Sequence, residues 1–126
     1  MKLISFLILM IPATFAEAKW EKMMNYDGAD FFVDLGTAKR GLASSSYTLL
    51  ENYLSGDFAG ESSIQFIQVK CRSLKRKMVE AYYYSRHFGQ GRLIDYLQHE
   101  DWVKPENGSV SDVLDRAMCG YMKSKK

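Results

Sequence analysis

The chain has 126 residues, 47% of them apolar and 13% aromatic, which is the composition of one small globular domain and leaves no room for a second. Basic residues number 17 against 15 acidic, with nine glycines and two prolines, a balance that excludes a disordered chain, a collagen-like repeat and a uniformly basic nucleic-acid binder.

Residues 1–18 have the pattern of an export signal. Lys2 supplies the positive start, residues 3–11 form an apolar run, and Ala16-Glu17-Ala18 fits a small-x-small peptidase site, so cleavage is expected after Ala18. The competing reading is a membrane anchor, but the run breaks at Pro12, well short of the roughly 20 residues that a spanning helix needs. No stable membrane span is therefore expected. No cysteine occurs before position 71, so the leader offers no lipid acceptor. The loss of Lys2 and Glu17 would leave the net charge at +2.

Two elements precede the first large gap. Residues 20–24 and 29–35 are apolar stretches separated by Asn25-Tyr26-Asp27-Gly28, whose Asp and Gly tolerate turn geometry, and this predicts a hairpin. Residues 36–46 are small and polar; residues 47–54 then regain strand character before the break at Ser55-Gly56-Asp57. Residues 64–72 place Ile67, Val69 and Cys71 on one face and Gln68, Lys70 and Arg72 on the other, a period of two that predicts a half-buried strand with Cys71 pointing inward.

After a short connection at Ser73-Leu74-Lys75, residues 78–85 form the next strand. Its consecutive Tyr82, Tyr83 and Tyr84 must project from both faces. Gly89-Gln90-Gly91 is a turn, and residues 92–98 read equally as strand or short helix. Ser109 with Asp112 resembles a capping box, and Val110, Val113, Leu114, Ala117, Met118 and Tyr121 recur at helical spacing. Cys119 lies nearly opposite Val110 on that wheel, so Gly120 is expected to end the helix and turn Cys119 back toward the sheet. Strands followed by one amphipathic helix predict an α+β domain, an antiparallel β-sheet with the C-terminal helix packed on one face.

Export and a total of two cysteines make a structural Cys71–Cys119 disulfide the economical assignment. It would tether the helix to the sheet, and closing so long a loop is worth about 4 kcal/mol. Neither cysteine has a C-x-x-C partner, and His87 and His99 lack ligand spacing, so neither metal nor cofactor is expected. No nucleophile motif or paired carboxylate geometry is present either. The closest titratable cluster, His99-Glu100-Asp101, reads as a solvated loop, and the chain is expected not to be an enzyme.

Charge is uneven. Between residues 70 and 92, Lys70, Arg72, Lys75, Arg76, Lys77, Arg86 and Arg92 face Glu80 alone. Lys70, Arg72, Lys75, Arg76, Lys77 and Arg86 are the candidate partner-binding residues, for an acidic protein surface or a sulfated polysaccharide. The competing reading is a solvated turn whose cations keep the hairpin edge from pairing with other chains. Nucleic acid is not expected as a partner of an exported protein.

The chain resembles the bacterial surface-adhesin protein E family from about Trp20 to Cys119. The resemblance is carried by Phe31-Phe32-Val33-Asp34, Ser62-Ser63, Val69-Lys70-Cys71-Arg72, Tyr82-Tyr83-Tyr84, Gly89-Gln90-Gly91, Trp102-Val103-Lys104-Pro105 and Gly108-Ser109, in that order. It implies a curved antiparallel sheet with a disulfide-tethered helix, homodimers, and binding of host matrix or serum proteins such as vitronectin, laminin and plasminogen. It also implies export in a Gram-negative bacterium. Without a lipid acceptor, periplasm, cell surface and secretion all remain open, and a periplasmic accessory or inhibitor protein of the cell envelope is the alternative function.

Overall fold

The computed structural model describes residues 18–124; the leader expected at residues 1–18 lies almost wholly outside them. Six strands run in chain order across one sheet: β1 (Trp20–Tyr26), β2 (Ala29–Asp34), β3 (Ser45–Tyr53), β4 (Ser62–Lys70), β5 (Lys75–Tyr84) and β6 (Leu93–Gln98). Each strand is antiparallel to its neighbour, and a single helix, α1 (Val110–Ser124), follows. The sequence left residues 92–98 undecided; pairing with β5 makes most of that segment a strand.

Local chemistry explains the connections. Asp27 and Gly28 both hold positive φ, 52° and 80°, the two-residue turn whose twist suits a hairpin. Asp34 ends β2 by accepting a hydrogen bond from the Gly36 amide at 3.0 Å, which starts a short 3-10 turn over Leu35–Thr37. Register shifts between Phe66 and Ile67, and between Tyr83 and Tyr84, mark irregularities of the kind that bend and twist a strand.

One face of the sheet carries the core. Val33, Leu49, Ile67 and Val69 pack with Leu114, Met118 and Met122 of the helix, all nearly inaccessible to solvent. Tyr47 and Arg76 join this face from β3 and β5. Their polar atoms meet Asp115: Tyr47 Oη donates to Oδ1 at 2.6 Å, and Arg76 Nε donates to Oδ2 at 2.9 Å. A wholly buried carboxylate needs such partners, since an unpaired buried charge is very costly.

The helix differs from its predicted wheel. Val113 is 43% exposed and Ala117 is exposed, whereas Asp112, Leu114, Asp115, Met118 and Met122 are buried. The buried arc is therefore centred about a quarter turn away from the apolar stripe, because Asp115 turns inward to meet Arg76 and Tyr47. That rotation brings Cys119 to the margin of the buried face, with no break in the helix. Gly120 is consequently a mid-helix residue and does not end α1, which continues to Ser124.

Ser109 does cap the helix. Its Oγ accepts from the Asp112 amide at 3.3 Å, and Asp112 Oδ2 reaches one residue further back than a standard capping box to accept from the Gly108 amide at 2.9 Å. The Cys71–Cys119 disulfide is present, with a Cα–Cα distance of 5.8 Å. Cys71 is exposed and sits just after β4, in the turn to β5, which corrects the expectation of an inward-pointing strand residue.

Candidate functional site

The six cations proposed from the sequence divide among four environments. Lys75, Arg76 and Lys77 open β5, where side chains alternate between the faces of the sheet. Arg76 turns inward, is 9% exposed and is taken up by Asp115, so the fold withdraws it from the surface patch in which the sequence placed it. Arg86 follows the far end of β5. Ten strand residues lie between it and the β4–β5 turn, a separation of roughly 30 Å. Arg72 lies in the turn itself.

Lys70, Lys75 and Lys77 occupy the face away from the helix, where Lys70 pairs with Lys75 and Gln68 with Lys77 across the strands. Trp102 lies against this group, its ring centroid 4.3 Å from Lys70 Nζ and 4.7 Å from Lys77 Nζ. Backbone hydrogen bonds in both directions between Val103 and Arg76, at 2.7 and 2.8 Å, hold the segment that carries the ring. Lys104 follows on, donating from Nζ to the Ser73 carbonyl at 3.1 Å. The negative face of an indole attracts an ammonium, and here it gathers two. Two like charges on one ring repel each other, and neither Lys70 nor Lys77 forms an ion pair among the described residues. The site is therefore electrostatically poised to accept an anionic group.

Aromatic side chains continue this outer face along the sheet. Tyr82 lies 4.9 Å from Tyr96 and 6.0 Å from Phe66 between ring centroids, and Tyr96 Oη donates to Glu80 at 2.9 Å. Phe66 and Tyr96 are about two-fifths exposed. Tyr83 points to the opposite face, so the tyrosine triplet does divide between the two sides of β5. Toward the Arg86 end of the helix-side face, Glu51 accepts from Gln65 Nε2 at 3.1 Å, and the Ser63 hydroxyl joins Gln65 and Tyr53. Burial pushes the Glu51 carboxyl up and the Tyr53 phenol up to about 12. The cluster satisfies its own hydrogen bonds.

Among the described residues, no group of three or more His, Cys, Asp or Glu side chains is arranged to hold a metal ion, and no helix is long and apolar enough to cross a membrane. Trp102 and Lys104 were not among the proposed site residues. Trp102 and Lys70 are 32 positions apart, and the bridge between Val103 and Arg76 helps to bring them together. The Trp102-Val103-Lys104-Pro105 run was visible in the sequence, but its place against β4 and β5 was not.

Residues 20–120 match the family model described as Surface-adhesin protein E. No curated protein and no solved structure matches the chain.

Proposed function

The chain belongs to the surface-adhesin protein E family, and from that membership we propose that it is a non-enzymatic adhesin that captures an acidic host matrix or serum protein on the cationic outer face around Trp102. The observation that carries this reading is the pair of lysines, Lys70 and Lys77, gathered on a single indole ring with Lys75 and Lys104 nearby. Lysine stems crossing an aromatic surface present charge without exposing the core, and an acidic partner relieves their mutual repulsion. Vitronectin and laminin are the partners that the family resemblance implies.

Export to the cell surface goes with this reading, and the leader pattern of residues 1–18 supports it. The exposed rings of Phe66 and Tyr96, with the half-buried Tyr82 that both contact, would suit self-association, since tyrosine is enriched in interfaces.

The test is surface plasmon resonance on immobilised vitronectin and laminin at low and at physiological salt. A folded Lys70→Ala/Lys77→Ala variant should bind at least about tenfold more weakly, and the salt dependence should flatten with it. Unchanged affinity in that variant would reject the face.

A further inference from the structure

A second cationic feature lies on the other side of the same end of the sheet. Between the approach to β3, the β4–β5 turn and the last turns of α1, the surface folds into a recess of about 770 Å³. Its cations are Arg40, Lys70, Arg72 and Lys123, drawn from three segments far apart in the chain, and no acidic residue lines it. The Lys70 ammonium is held on Trp102, which leaves Arg40, Arg72 and Lys123 to set the charge. None of these three forms an ion pair among the described residues. The C-terminal end of α1 contributes roughly half a negative charge, too little to cancel three cations.

The backbone that forms the recess is held in place. The Cys71–Cys119 disulfide lies in its wall and fixes the segments bearing Arg72 and Lys123 relative to each other. The Arg40 loop is tied down by paired backbone hydrogen bonds between Lys39 and Ser46, each 2.9 Å. It also turns tightly at Gly41, where a Cβ would stand 2.1 Å from the Ser44 carbonyl oxygen, so only glycine admits this path. The covalent link and the closed loop hold in place the backbone that carries these cations, and a site whose backbone is ordered beforehand loses less on binding.

The lining also selects the ligand. Arg40 and Arg72 each line the recess, and a guanidinium fork is the side chain best suited to a tetrahedral oxyanion. The volume is in the range of small-molecule sites, so the recess has room for an anion together with the molecule that carries it. No aromatic ring lines the recess, and Ser44, Ser45 and Ser73 line it with the cations, which suits a hydroxyl-rich carrier. We propose that the recess binds a sulfate or phosphate ester carried on a sugar chain. This deepens the proposed function, resting on adhesion at this end of the molecule, but apart from Lys70, which borders both, it uses different cations, so the two can fail separately.

The test uses the oxidised full chain at physiological ionic strength, with titration calorimetry and NMR shift mapping. The probes are a heparin-derived hexasaccharide, its desulfated counterpart, and a hexose phosphate. A folded Arg40→Ala/Arg72→Ala variant, and separately Lys123→Gln, should weaken binding of the charged sugar, the double variant by at least about tenfold. Lys75→Ala/Lys77→Ala on the outer face should leave it within about twofold. Shifts should cluster at residues 40–45, 70–73 and 119–123. Preference for the hexasaccharide identifies a sulfated glycan as the source, and preference for the hexose phosphate identifies a phosphorylated one. Equal binding of the desulfated sugar, no binding of either charged sugar, or loss confined to the outer-face variant would overturn the recess. None of these outcomes bears on host-protein capture, which is read independently on vitronectin and laminin.

Discussion

Asp112 shows how much one side chain contributes at the helix start. Its carboxylate accepts from the Gly108 amide at 2.9 Å and from Arg116 Nε at 3.0 Å. The backbone hydrogen bond from Gly108, aided by Arg116, holds its carboxyl below the ordinary value of 3.8. A carboxyl whose folded value is depressed stabilises the fold above the unfolded value, and that contribution is lost as the pH falls through the folded one. Asp112→Asn should therefore melt earlier than the native chain at neutral pH, and the gap should close as the pH drops below about 3.8. Thermal melts followed by circular dichroism across that range check this; a gap that stays constant with pH would show that charge is not involved. Asp115 illustrates the opposite environment, its carboxyl raised first by burial and pulled back by Arg76 and Tyr47. Removing either member of that ion pair would leave a buried charge uncompensated, at a cost of about 3–5 kcal/mol.

At the scale of elements, α1 is held to the sheet by three different means. Met118 and Leu114 bury apolar surface, Asp115 joins Arg76 and Tyr47, and the disulfide ties Cys119 to the β4–β5 turn. The disulfide closes a loop whose ends are 48 positions apart, which in the chain-entropy description is worth about 4 kcal/mol. Cys71→Ser/Cys119→Ser should lose about that much in urea denaturation, and hydrogen exchange should rise first in the last turns of α1. The helix should stay docked at its first half, because the buried ion pair and the Leu114 contact do not depend on the sulfur bridge. A loss below about 1 kcal/mol would mean that packing alone seats the helix.

For the whole molecule, the arrangement of charge matters more than its total. A net charge of +2 is unremarkable for this length, yet the end of the sheet at the β4–β5 turn gathers Lys70, Arg72, Lys75 and Lys77 from the hairpin, with Arg40, Lys104 and Lys123 from elsewhere. An excess of cations at one end orients a partner during approach and makes association depend on salt. Surface display, as proposed here, carries its own test: protease shaving of intact cells should degrade the chain while sparing periplasmic markers. Survival of the chain under shaving, with loss only after the outer membrane is opened, would place it in the periplasm and remove the adhesin reading.

How much of this was legible in the sequence differs by feature. The first five strands, the Asp27-Gly28 turn, the Ser109 cap and the pairing of the two cysteines follow from local propensity and arithmetic, because each depends on residues close in the chain or on there being no other choice. The rotation of α1 was not legible: apolar spacing cannot register that a carboxylate will turn inward when an arginine and a tyrosine, 39 and 68 positions away, wait for it. Nor did the charge run at positions 75–77 disclose that its middle member is buried, or that Trp102 and Arg40 would stand on opposite sides of one cationic end. Short-range chemistry decided the elements of this protein, and long-range burial of a few polar groups decided which of its charges remain free to meet a partner.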